Sequence, residues 1–151
     1  MSKFLIATDP IRMSLRARVY LGIVAVQCFV MGGFFLFEPS WFVSSSYDQI
    51  RDVAPLPVWS FAFLIAGAIC AAAAHFMDEH VARYGLMLTA VLECIWVGGF
   101  IAAWFAGSLQ SPLGPLVWGV LLARDLVILS QPLCTPFEDI IRRIEEKRPG
   151  A

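Results

Sequence analysis

The chain has 151 residues, of which 59% are hydrophobic and only 15% charged, and its mean hydropathy is +0.73. This is more apolar side chain than one water-soluble core of this size can bury, which argues against a soluble globular domain. Lys and Arg number 11 against 12 Asp and Glu, so the net charge of -1 gives no electrostatic basis for binding nucleic acid. The lipid bilayer is therefore the predicted partner.

Four segments carry few or no charges and are long enough, at about 1.5 Å rise per residue, to cross a hydrocarbon core of about 30 Å. They cover residues 19–37, 58–76, 84–105 and 116–133. The connections between them are too short for an independent soluble domain. The sequence therefore predicts an all-α fold, a four-helix transmembrane bundle over residues 19–133, flanked by a basic segment (1–18) and a tail (134–151).

Two connecting regions carry helix signals. In the first connection, Ser46 and Gln49 have capping-box spacing and predict a short surface helix, with an unstructured loop as the equal alternative. In the tail, Thr135, Pro136 and Glu138 begin an amphipathic helix with apolar residues at i, i+3, i+4 and i+7. The tail helix is expected to rest on the inner leaflet, and a docking surface is the alternative.

Basic residues predict the orientation, because Lys and Arg are retained on the cytoplasmic side. Nine of the eleven lie in the segment 1–18, at Arg83 or in the tail, whereas Arg51 alone lies on the other side and Arg124 lies within the fourth span. Both termini are thus predicted to be cytoplasmic, in the inner (cytoplasmic) membrane of the cell. The predicted outer interface anchors are Trp41, Trp59, Trp104 and Trp118.

Polar side chains near the middle of the spans are the most informative feature. They are Gln27, Glu93, Arg124 and Asp125. Charges at a helix centre cost about 2.5 to 3.5 kcal/mol each, so a Glu93–Arg124 ion pair between the antiparallel third and fourth spans is predicted. Asp125 points about 100° away from Arg124 and is expected to face another helix, with Gln27 as a possible partner. A structural pair is favoured over a polar path.

Small residues at spacing four predict close helix packing, within or between subunits. They are Gly67 with Ala71, Gly98 with Ala102, and Gly99 with Ala103. Chemistry is otherwise scarce: the four cysteines have no CxxC spacing, and the histidines at 75 and 80 are more typical of a solvated loop than of a metal site. The sequence thus predicts no enzyme activity, no cofactor and no metal.

The layout of the chain resembles four-span membrane proteins encoded by phages of actinobacteria. The resemblance is carried by the Arg-rich start RMSLRARVYLGIVAV, the connection SSYDQIRDVAPLPVW, the glycine-containing spans and the short charged tail. It implies a holin-like role, in which an oligomer permeabilises the inner membrane. Two other functions remain open: an accessory or scaffold subunit of a membrane complex, and a small dimeric transporter that uses the charges at mid-depth.

Overall fold

The computed structural model describes residues 13–37, 39–42, 45–107, 113–131 and 133. The secondary structure of these residues consists of helices and turns, with no strand. The elements are α1 (Leu15–Phe37), two 3-10 turns (Pro39–Phe42 and Ser45–Tyr47), α2 (Asp48–Val53), α3 (Leu56–Phe76), α4 (Glu79–Phe105) and α5 (Leu113–Leu129). Three of them, α1, α3 and α4, are long and apolar enough to cross a membrane. The predicted tail helix and most of the basic N-terminal segment lie outside the described residues.

Helix α5 differs in extent from the fourth predicted span. It has 17 residues, about 25 Å of helix. It begins three residues before the start of the predicted segment 116–133 and ends four residues before the end of that segment. Its end precedes Pro132, and a proline disfavours helical backbone in the residue before it. Arg124 and Asp125 therefore lie past the middle of the helix rather than at it.

Helices α1 and α3 form the most extensive contact in the described structure, and they run antiparallel. Near one end Arg18 Nε donates to the carbonyl oxygen of Ala74 at 3.1 Å, and near the other Ser60 Oγ donates to that of Gly32 at 2.6 Å. Between them, a Cβ on Gly67 would lie 3.1 Å from the carbonyl oxygen of Ala25. The small residue at position 67 thus permits the close approach of the two backbones.

A two-residue turn joins α3 to α4 and reverses the chain. Met77 ends α3 in the left-handed region with φ of 59°. Asp78 begins α4 as its N-cap, and its carboxylate accepts from the backbone N–H groups of His80 at 2.8 Å and Val81 at 3.1 Å. The carboxylate of Asp78 therefore has a helix-capping role.

The long helices pack in the order α1, α3, α4, α5, each antiparallel to the one before it. The backbone N–H of Ser14, before α1, donates to the carbonyl oxygen of Leu133, after α5, at 3.3 Å. We call this end of the molecule, which includes the Met77 turn, the proximal end. The end that carries α2 is the distal end.

The distal connection is held to the helices by Trp59. Its indole Nε1 donates to the carbonyl oxygens of Ile50 at 3.2 Å and Ala54 at 2.9 Å. The short helix predicted in this connection is present as α2, and its N-cap residue is Tyr47 rather than the predicted Ser46. Because its N–H is used inside the protein, Trp59 is buried rather than placed at a lipid interface.

The small residues of α4 divide between two faces of the helix. Gly99 and Ala103 face the interior, where a Cβ on Gly99 would lie 2.5 Å from Cγ1 of the buried Ile50. Gly98 and Ala102 are exposed, and a Cβ on Gly98 would meet nothing within 4 Å. Only the first pair therefore packs within the described chain.

We expect Gly99→Ala to destabilise the protein by about 1 to 2 kcal/mol, because Ile50 and α2 must move to admit the methyl group. Gly22→Ala on α1, where an added Cβ would also meet nothing within 4 Å, is the control and should be neutral or slightly stabilising. Thermal unfolding of both variants in detergent micelles measures the difference. Equal melting temperatures would show that α2 does not pack on Gly99.

Candidate functional site

Five polar side chains from three helices meet inside the molecule and form what we call the polar cluster. They are Tyr20 and Gln27 of α1, Glu93 of α4, and Arg124 and Asp125 of α5. Tyr20 and Gln27 are seven residues apart, so they lie on one face of α1 about 10 Å apart along the axis. Glu93 and Asp125 are fully buried at 0% exposure.

Asp125 has the most complete set of partners in the polar cluster. Its Oδ1 accepts a hydrogen bond from Arg124 Nε at 2.9 Å and lies 2.8 Å from Arg124 Nη2. The hydroxyl of Tyr20 donates to the same oxygen. The Arg124 guanidinium also lies 5.4 Å from the centre of the Tyr20 ring, within cation–π distance. Oδ1 of Asp125 thus lies next to two donor side chains, one of which carries a positive charge.

Glu93 has weaker partners. Gln27 Nε2 donates to its Oε1 at 3.1 Å, and Arg124 Nη2 lies 3.9 Å from that same oxygen. The Glu93–Arg124 contact expected from the sequence is present, but it is the longer of the two ion pairs of Arg124. The shorter one joins neighbours in the chain, because the long arginine side chain reaches back to Asp125 despite the 100° between their directions.

The structure and the sequence analysis differ in two partners. Gln27 bonds to Glu93 rather than to Asp125, and Tyr20, which sequence reasoning omitted from the site, occupies the place at Asp125. The spacing of seven residues, which places Tyr20 on the same face of α1 as Gln27, is the signal in the sequence that could have identified Tyr20. Tyrosine at the end of a span is typical of an interface anchor, so the sequence alone does not indicate that Tyr20 binds a buried carboxylate.

Four buried polar atoms in this region have no hydrogen-bond partner. They are Glu93 Oε2, Asp125 Oδ2, Arg124 Nη2 and Trp96 Nε1. Of these, Arg124 Nη2 remains within ion-pair distance of both carboxylates. Trp96 lies three residues after Glu93, about one helical turn closer to the distal end. The polar cluster is therefore incompletely satisfied where it meets the aromatic side chains.

The distal half of the interior is filled by what we call the aromatic layer. Its members are Phe35, Phe42, Tyr47, Trp59, Phe63, Trp96, Phe100 and Trp118. Trp96 is its centre and stacks on Phe35 and on Trp118, each with ring centroids 4.8 Å apart. At its edge, burial raises the pKa of Tyr47, so this phenol stays protonated and neutral.

The aromatic layer separates the polar cluster from the distal end. Outside the cluster, the buried polar side chains among the described residues are Ser60 and Thr89, and each donates to a backbone carbonyl of a helix. No chain of polar side chains therefore crosses the described interior from end to end. The polar cluster connects the proximal half to mid-depth and stops there.

The predicted tryptophan anchors have two different positions. Trp104 is half-exposed and fits the interface role, whereas Trp118 is buried in the aromatic layer, as Trp59 is. Stacking on Trp96 provides a better environment for the Trp118 ring than lipid headgroups do. The side chain of Trp41 lies outside the described residues.

The described residues contain no group of three or more His, Cys, Asp or Glu side chains able to hold a metal ion. The groups that the polar cluster offers for chemistry are two carboxylates, a guanidinium, a phenol and an amide, which exchange protons and hydrogen bonds. Comparison with family models, curated proteins and solved structures gives no match to the chain. Its function must therefore be argued from the geometry.

Proposed function

We propose that the chain is a non-enzymatic, multi-pass protein of the cytoplasmic membrane, in which α5 makes a fourth crossing beside α1, α3 and α4. The meeting of Ser14 and Leu133 at the proximal end supports an even number of crossings. The excess of Lys and Arg in the terminal segments supports a cytoplasmic proximal end. This gives a four-helix transmembrane bundle with both termini in the cytoplasm.

Within the membrane, we propose that the protein acts as an accessory or scaffold subunit that associates with itself or with another membrane protein. The observation that carries this proposal is the aromatic layer, which fills the interior between the polar cluster and the distal end. A conducting or transporting protomer needs a polar or hydrated route past this depth. The charges of the polar cluster instead serve to hold α1, α4 and α5 together.

The outward faces of the helices support association in lipid. Most exposed side chains on α1 and α4 are large and apolar, as a lipid-facing surface requires. The exposed Gly98 and Ala102 leave a shallow, smooth strip on α4. Small residues of this kind allow close contact between membrane helices, so this strip is the proposed place for a second chain.

The topology has a direct test by cysteine labelling in intact bacterial cells, in a background without the native cysteines. We expect an impermeant maleimide to label Ser45→Cys and Ser108→Cys, and not His80→Cys or Gln131→Cys, until the membrane is permeabilised. Each position is separated from the next by one proposed crossing. Labelling of Gln131→Cys from outside, together with Ser45→Cys, would show that α5 does not cross.

A holin-like protein is the second candidate function, and the exposed Gly98–Ala102 strip favours it because permeabilisation by a closed protomer requires assembly between chains. Induction in a bacterial host separates the two. An accessory subunit should leave the membrane potential unchanged and be recovered in a stable complex after crosslinking. Abrupt depolarisation that Gly98→Leu abolishes would overturn the accessory role and support the holin-like one.

A further inference from the structure

The charges of the polar cluster do not balance. Glu93 and Asp125 each carry a negative charge when ionised, and among the described residues Arg124 carries the single positive charge within 4 Å of them. Both carboxylates have 0% exposure, so water does not solvate the excess negative charge. An unbalanced charge at membrane depth is strongly unfavourable. One further positive charge is therefore needed at this site.

The free carboxylate oxygens indicate what can supply that charge. Glu93 Oε2 and Asp125 Oδ2 are buried and have no hydrogen-bond partner. A bound sodium or calcium ion needs more oxygen ligands than these two, and the guanidinium of Arg124 would repel it. A proton needs a single oxygen and no coordination shell. The geometry fits a proton better than a metal cation.

The neighbours of the two acids differ, and the difference selects Glu93. Asp125 Oδ1 receives the guanidinium and the phenol hydroxyl, which favour the ionised form. Glu93 receives a neutral amide and has the guanidinium only at 3.9 Å. The other titratable groups on the helices around Glu93 do not compete for this proton. Cys28 on α1 and Cys70 on α3 are thiols, which lose their protons only at high pH. Tyr47 lies beyond Trp96, and the charged residues of α2 lie at the distal end.

We propose that the polar cluster is a proton-binding site that holds one proton at neutral pH, on Glu93. A proton from bulk water forms an O–H bond at Glu93 Oε2, which converts the carboxylate to a neutral carboxylic acid. The cluster then has one carboxylate, Asp125, and one guanidinium, and its net charge is zero. This site is a property of the single chain and does not depend on the accessory role.

Infrared spectroscopy of the full-length protein in micelles of a maltoside detergent, which contains no ester carbonyl, tests the site, because a carboxylic acid has a C=O stretch that a carboxylate lacks. At about pH 7 carboxyl groups with ordinary pKa values are ionised. We expect one carboxylic acid band in the wild type, and its loss in Glu93→Gln. Glu79→Gln, on the same helix but paired with Arg83 at the surface, is the matched control and should keep the band.

Charge balance predicts opposite effects for two further variants. Asp125→Asn should remove the band, because Glu93 alone then faces Arg124 and becomes ionised. Arg124→Gln should about double the band, because both acids then lose their counter-charge. These two variants test whether Glu93 holds the proton even when Glu93→Gln fails to fold. Absence of the band from the wild type at about pH 7, or a band unchanged by Asp125→Asn and Arg124→Gln, would overturn the proposal.

Discussion

Replacing Trp96 with alanine is expected to lower the free energy of unfolding by about 3 to 5 kcal/mol, the largest effect of any single substitution considered. Trp96 is fully buried and its ring contacts those of six other aromatic side chains: Phe35, Tyr47, Trp59, Phe63, Phe100 and Trp118. Its removal leaves a cavity at the junction of all four long helices. In lipid, the lower free energy of unfolding comes from lost dispersion contacts and lost ring–ring contacts. Exclusion of water contributes little there, because the surroundings are already apolar.

Trp104→Ala is the matched control, since Trp104 lies on the same helix and its side chain is half-exposed. A loss of about 0.5 kcal/mol or less is expected there. Thermal unfolding in micelles, followed by circular dichroism, compares the two variants. Similar losses at both positions would mean that the aromatic layer does not hold the helices together.

Arg124→Gln is expected to cost about 2 to 3 kcal/mol, because Asp125 then loses its counter-charge in the interior. Arg83→Gln provides the control. Arg83 pairs with Glu79 on the surface of α4, where loss of an ion pair costs about 0.5 kcal/mol. The measurements are the amount of folded protein in membranes and the melting temperature.

Double-mutant cycles resolve which acid depends on Arg124. We expect the Arg124–Asp125 coupling to exceed the Arg124–Glu93 coupling, for which about 1 kcal/mol is expected, because the first pair is at 2.8 Å and the second at 3.9 Å. Exchange of charges between positions 93 and 124 should not restore stability, since it places a glutamate beside Asp125. Full recovery in the exchanged variant would contradict the geometry of the polar cluster.

Hydropathy was sufficient to locate the long helices, because a membrane span is a property of composition over about 20 residues. The all-helical architecture of the described residues and the three helices long and apolar enough to cross a membrane agree with the sequence prediction. Helix α5 ends at Leu129, four residues before the end of the predicted span, because hydropathy continues through Leu133 whereas the helix stops before Pro132. Helix ends depend on local backbone chemistry that a hydropathy window averages out.

The polar cluster was only partly predictable. Charges at membrane depth identify Glu93, Arg124 and Asp125 without any structure, because lipid makes each of them costly. Their pairing depends on helix rotation and on the reach of each side chain, which the sequence alone does not fix. The burial of Trp59 and Trp118 could not be predicted either, because tryptophan suits both a membrane interface and a packed interior.

The order of the polar cluster along the chain has a consequence for synthesis. Tyr20, Gln27 and Glu93 all precede α5, which carries the single positive charge of the cluster. Arg124 itself is synthesised after Glu93 and directly before Asp125, the carboxylate nearest to it, so α5 carries its closest ion pair with it. The guanidinium therefore has a carboxylate beside it from the moment that both residues are made, whichever helices have already assembled.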